Sequence, residues 1–233
     1  MRKAALVLAM CALWIAPGAA LARRPVLVEL YTAQGCSSCA QANQFIDRIA
    51  DRPGVVALTF AVDYWDYLGW KDTFAQAAFT DRQRTYDDRF GLRDVYTPQV
   101  IVDGAAQASG DKAAAVETLI REARRRPGEA PQMKIMANGR VAVGSGPRPR
   151  GGAEVWLVRY DPREQQVAVR NGDNRGKTVL QRNVVRQLAR LGSWKGRPAV
   201  YRPPPAPEDD LETLVLLQGA DGGKIVGLLR RPQ

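Results

Sequence analysis

The chain has 233 residues, 45% of them hydrophobic and 25% charged, with three cysteines, no histidine and a net charge of +10. That composition is an ordinary globular one and excludes wholesale disorder and a cysteine-rich scaffold, while the missing histidine excludes Ser-His and Cys-His catalytic pairs. The length fits one large domain or two small ones.

The N-terminal segment opens with Arg2 and Lys3, continues through an uncharged apolar run from Ala4 to Ala16, and reaches small residues at Ala20 and Ala22. This is the pattern of a secretory signal peptide. Cleavage after Ala22 is expected to remove residues 1–22, taking Cys11 with them and lowering the charge from +10 to +8 by the loss of Arg2 and Lys3. The apolar run is shorter than a membrane span of about 20 residues, and no later stretch reaches that length. A lipid anchor on Cys11 is disfavoured by Met10, which stands where a small residue is wanted. A periplasmic or secreted protein with no transmembrane segment is therefore expected, in a compartment where disulfides persist.

Residues 23–128 alternate strand and helix signals. PVLVELYT and VVALTFAVD read as buried strands, and between them Ala42, Phe45, Ile46 and Ile49 fall on one helix face. PQVIVDGAAQASG reads as a hairpin turning at Asp103–Gly104. A helix follows, with Val116, Leu119, Ile120 and Ala123 at helical spacing and Ser109 or Asp111 available as its cap. The predicted order is βαβ, a helical insert, then ββα, an α/β unit. PGEAPQ supplies a linker. Residues 129–233 then give short strands separated by Gly, Asn, Asp and Pro turns, which predicts a β-rich, sandwich-like second domain. RPPPAPEDD is expected as a surface loop, because successive prolines cannot pair inside a sheet.

Chemistry concentrates at CSSC, Cys36 to Cys39, between the first strand and the first helix. Free N–H groups at a helix start stabilise a thiolate on Cys36, and Cys39, further into the helix, suits the resolving thiol. Three readings of the pair stand at this point: a redox couple, an inert disulfide and a metal clip. With one C-x-x-C and no histidine, four-ligand zinc sets cannot be built in one chain. No methionine-rich run accompanies the pair to suggest copper. A staple across two intervening residues gains little loop entropy. The redox reading leads, and no metal or cofactor is expected. The arginine run REARRRPG lies where a helix ends and carries no interleaved aromatics, so it reads as a solvated helix end, with no nucleic-acid partner expected.

VLVELYTAQGCSSC resembles the thioredoxin superfamily. The resemblance implies a thioredoxin-like fold for the N-terminal half, a proton-relay role for Glu29 beside Cys39, whose alternative is a strand carboxylate facing solvent or a structural partner, and a cis peptide bond at Thr97–Pro98, where those two residues hold a partner strand. The intervening Ser37–Ser38 and the Gly35 before the pair depart from thioredoxin, leaving oxidase, reductase and isomerase directions open. DYWDYLGWKD follows the second strand, where Tyr64, Trp65 and Trp70 are candidates for an aromatic partner surface. Their alternative is packing within the insert. ELYTAQGCSSC, DYWDYLGWKD, RQRTYDDRFG, VYTPQVIVDG and GDNRGKTVLQRNVVR together resemble an uncharacterised secreted bacterial family with a thioredoxin-like first half, domain of unknown function 1223. Protein thiols and disulfides of the cell envelope are the expected partners. The alternative is a non-enzymatic envelope binding module with an unreactive disulfide.

Overall fold

A computed structural model describes residues 24–126, 128 and 130–231. The expected leader, residues 1–22, lies outside the described residues. Strand β1 (Val26–Thr32), helix α1 (Cys39–Ile49) and strand β2 (Val55–Ala61) form the first unit, with β1 and β2 parallel from Val26 opposite Val55 to Thr32 opposite Ala61. A short 3-10 turn at Asp66–Leu68 leads to α2 (Ala77–Phe90). Strands β3 (Gln99–Val102) and β4 (Ala106–Ser109) form the expected hairpin, and α3 spans Ala113–Arg125. At the hairpin turn Asp103 and Gly104 have φ of 53° and 58°, the left-handed central pair of the turn that Ala105 N closes on Val102 O at 3.0 Å. Gly104 is also held by space, since a Cβ there would lie 2.4 Å from the Gly223 carbonyl oxygen. Lys112 occupies the N-cap of α3, with no side-chain cap bond, instead of Ser109 or Asp111.

All seven residues of β1 and of β2 are buried, because helices cover both faces. Val26, Val28 and Leu30 pack with α1 and α3, while Leu27 and Tyr31 pack with Phe79 and Tyr86 of α2. The apolar runs in the sequence record this two-sided burial.

The second half begins with β5 (Met133–Ile135) and β6 (Val141–Val143), followed by β7 (Ala153–Asp161), β8 (Gln165–Ala168) and β9 (Thr178–Gln181). Strands β10 (Val184–Trp194), β11 (Ala199–Tyr201), β12 (Glu212–Gly219) and β13 (Ile225–Arg230) complete it. The fold is mixed α/β, with one eight-stranded sheet in the order β13-β12-β7-β10-β2-β1-β3-β4 and two small sheets, β11-β6-β5 and β8-β9. The segments expected as separate domains thus share one sheet. The junction is where β10 meets β2 in parallel, Val184 opposite Thr59. Thr59 donates its N–H to Asn183 O at 3.0 Å and its hydroxyl to Arg182 O at 2.7 Å, and Asn183 Nδ2 returns a bond to Ala57 O at 2.8 Å. Asn183 has φ 52°, a conformation asparagine tolerates better than most residues. Behind β7 and β12, the three-stranded sheet closes a further core around Trp194, Val155 and Leu217.

Between α2 and the large sheet lies a polar knot. Glu29 on β1 is wholly buried, and its two carboxylate oxygens accept from Arg82 Nε at 2.8 Å and Tyr86 Oη at 2.6 Å. Arg82 Nη2 also donates to Tyr86 Oη at 2.9 Å, and its guanidinium stands 5.2 Å from the Tyr86 ring and 5.5 Å from that of Trp156 on β7. Gln218 of β12 donates to Tyr86 Oη at 3.0 Å. Burial pushes the Tyr86 phenol well above its ordinary pKa, so it stays neutral and donates.

Two outcomes follow. Removing one charge of a buried pair strands the other, so Glu29→Gln is expected to cost about 3–5 kcal/mol by urea unfolding, with much of it recovered in Glu29→Leu/Arg82→Met; a cost under about 1 kcal/mol would mean the pair is not the anchor it looks. Protease cleavage is expected between residues 126 and 132, where the sequence carries Pro and Gly. The two fragments should separate on a denaturing gel yet co-elute in native size exclusion, because β10 sits beside β2; fragments that part without denaturant would contradict the shared sheet.

Candidate functional site

Cys36 and Cys39 form a disulfide with a Cα–Cα distance of 5.4 Å, between the end of β1 and the start of α1. Two successive turns deliver them there: Cys36 N donates to Ala33 O and Cys39 N to Cys36 O, each at 3.2 Å. Ser37 and Ser38 face solvent, while Cys36 and Cys39 are only 0% and 1% exposed. Thr97 precedes a cis peptide bond to Pro98 and donates its hydroxyl to Cys36 Sγ at 3.3 Å. Ser38 Oγ lies 3.4 Å from the same sulfur.

The turn that carries the pair is also held from the second half of the chain. Between β8 and β9, the loop 169–177 is closed on itself by Val169 N to Lys177 O and Gly176 N to Val169 O, both 2.9 Å. From it, the buried Asn174 donates through Nδ2 to Gln34 O and to Cys36 O, at 2.9 Å each. Asn171 Nδ2 reaches Gly69 O at 3.3 Å, so the loop also touches the aromatic insert. Arg182, just beyond β9, pairs with Asp51 at 2.6 Å and Asp47 at 3.4 Å, which lays this hairpin along α1.

Gln34, wholly buried, is the hub that fixes the turn. Its backbone N–H donates to Asp72 Oδ2 at 2.6 Å, its side-chain oxygen accepts from Trp70 Nε1 at 3.0 Å and Thr73 N at 3.2 Å, and its Nε2 donates to Thr73 Oγ1 at 2.8 Å. Of the residues expected as a partner surface, Trp70 is therefore tied to the turn before Cys36. Tyr64, whose hydroxyl donates to Gln83 at 3.2 Å, and Trp65 both pack against the apolar cluster that holds the two cysteines. Tyr67 is the exposed aromatic of the insert, at 80%. Glu29, expected beside Cys39, has both oxygens turned to Arg82 and Tyr86 instead. A carboxylate so held belongs to the knot under α2.

Sequence reasoning did not single out Gln34, Arg82 or Asn174. Asn174 lies in GDNRGK, a turn-rich stretch whose composition signals a loop but not what it holds. Among the described residues no group of three or more His, Cys, Asp or Glu side chains is placed to hold a metal ion, and no helix is long and apolar enough to cross a membrane.

The chain is thus a mixed α/β protein with a Cys-x-x-Cys disulfide at a strand-to-helix turn. Its sequence matches the profile of the protein family of unknown function DUF1223 over residues 27–218, and the chain belongs to that family. It is similar to the crystal structure of protein AGR_C_4864 from Agrobacterium tumefaciens, with 28% identity and a TM-score of 0.68 over 88% of this chain and 92% of that one. It also resembles HBP35 of Porphyromonas gingivalis in fold, with 12% identity and a TM-score of 0.60 over 90% of this chain and 75% of that one. No curated protein matches it.

Burial raises the Asp72 carboxyl to about 6 despite its bonds from Gln34 N and Phe74 N. An acid whose folded pKa exceeds its unfolded value stabilises most below the unfolded pKa and loses that contribution as pH rises through the folded one. Stability is therefore expected to fall between about pH 4 and 7, by up to ~3 kcal/mol from this group. Carboxyl NMR should give a midpoint near 6 for Asp72; a midpoint near the ordinary carboxylate value would refute this.

Proposed function

We propose that the chain is a thioredoxin-like thiol–disulfide oxidoreductase of the cell envelope, exported by its leader and acting through Cys36 and Cys39 on protein partners. The observation that carries it is the Thr97 hydroxyl, 3.3 Å from Cys36 Sγ and next to cis Pro98, a donor aimed at a sulfur that becomes a thiolate. The strand order β2-β1-β3-β4, with α1 and α3 on one face and α2 on the other, supports the thioredoxin-like reading. In the exchange a partner thiolate attacks Cys36 Sγ, the Cys36–Cys39 bond breaks, and Cys39 leaves as a thiolate that takes a proton from solvent. A second partner thiol then attacks the partner's sulfur in the mixed disulfide and releases Cys36 as a thiolate. Two electrons pass from the partner dithiol to the pair; the reverse sequence returns them.

A second reading, a binding module with an inert disulfide, is favoured by the burial of both cysteines and by the two bonds with which Asn174 pins the turn that carries them. Under the first reading that turn must loosen before exchange. Cys39→Ala is expected to trap mixed disulfides through Cys36 on non-reducing gels of envelope extracts. Asn174→Ala, which removes two hydrogen bonds of ~1 kcal/mol each, should speed reduction by a small dithiol about tenfold or more. A reduction potential below about −300 mV with no Cys36-dependent adduct would mark the disulfide as structural and decide for the second reading.

A further inference from the structure

A cavity of about 330 Å³ opens where the large sheet emerges from under α2, and neither cysteine lines it. Trp156 of β7 and Leu188 of β10 give it an apolar floor, and Tyr86 and Gln218 wall its deep end. Three carboxylates, Asp81, Glu154 and Asp221, stand at its mouth. The lining also carries Arg82 and Arg190, each paired with a carboxylate, so the acidic character of the mouth rests on Asp81 and Asp221.

The charges divide clearly. Glu154 is spent on Arg190 at 2.6 Å and on Trp156 Nε1 at 3.2 Å. Among the described residues Asp81 pairs only with Arg84, at 3.2 Å, a pair more than half exposed on both sides and so worth little. Asp221 lies on an exposed turn with φ 53°. Arg82, which also lines the cavity, is neutralised by Glu29. A separate feature points to a ligand. Gln218 is 1% exposed, and its Nε2 donates to Gly223 O at 2.8 Å and Tyr86 Oη at 3.0 Å. The Gly223 carbonyl fixes the amide's orientation, because a flipped amide would set two oxygens face to face. Among the described residues Gln218 Oε1 is left buried without a partner, a state that costs free energy until a donor arrives.

We propose that this cavity binds an organic cation on an apolar stem, an alkyl ammonium or alkyl guanidinium, either as a free amine or as the side chain of a basic polypeptide residue. The stem lies on Trp156 and Leu188, where an aromatic face accepts methylene groups and cationic heads alike. At the mouth the N–H donors of the cationic head go to Asp81 and Asp221, and a donor that reaches the deep end meets Gln218 Oε1; all three are acceptors. An anionic ligand would meet carboxylates at the mouth.

Calorimetric titration of the full chain tests this with agmatine for the free amine, N-acetylarginine amide for the peptide side chain, and butyrate as a stem of opposite charge. Agmatine or the arginine amide is expected to bind with a Kd on the order of 0.1–1 mM, as suits a small ligand in an open cavity, and butyrate not to bind. The tighter of the two cations identifies the source. Asp81→Asn/Asp221→Asn should weaken binding about tenfold and reduce its salt sensitivity. Both positions are exposed and asparagine tolerates the positive φ at 221, so this variant keeps its fold even if Trp156→Ala, expected to abolish binding, does not. No heat from either cation at about 10 mM, or an unchanged Kd in the double aspartate variant, overturns the proposal.

Discussion

The buried guanidinium of Arg82 is the constraint on which much of the rest depends. A cation deep among aromatic rings demands a fixed counter-charge, and Glu29 supplies it from the middle of β1. That demand sets which face of α2 meets the sheet, which in turn places Gln83 near Tyr64 and Gln99 and carries the chain to Thr97 beside the sulfur. The same knot reaches Trp156 and Gln218 on strands from the other half of the chain. A polar network of this kind specifies one arrangement of its neighbours, because any other leaves a charge unpaired in a low dielectric.

The N-terminal half was legible in sequence because its signals are local. Apolar runs marked β1 and β2, a 3.6-residue period marked α1, and Asp103–Gly104 marked the hairpin. Cys36, Cys39, Thr97 and Pro98 could be assigned to one neighbourhood by pattern, and they meet there. Legibility failed where a residue's partner is distant in sequence. Glu29 looked like a group facing the cysteines because nothing near it in the chain announces Arg82, 53 residues on. Asn174 is 138 residues from Cys36, and only the folded course of the β8–β9 hairpin along α1 brings it to the turn that carries the disulfide. The β-rich half gave its strands by turn composition, but not that four of them extend the first half's sheet; Asn183 in a left-handed conformation is the hinge that permits it, and single-residue backbone choices leave little trace in composition.

The disulfide and the loop that pins its turn belong to opposite halves of the chain, so the chemistry of one is subject to the stability of the other. Asn174 binds backbone carbonyls on either side of Gly35, contacts that need no particular side chain at Gln34 or Cys36. Ser37 and Ser38 remain in solvent, the uncovered part of the turn.

The seam between the halves bears on how the chain is made. β2 is apolar and covered on both faces, yet one of its long edges waits for Asn183, which bonds Ala57 from 126 residues downstream. Until ribosomes have delivered that segment, a nascent chain holds a flat hydrophobic strand with unpaired amides, the template on which aggregates grow. Closing so long a loop is slow. A shortened gene ending after α3 would therefore yield an insoluble product, even though it encodes both cysteines and the strand and helix that meet at them.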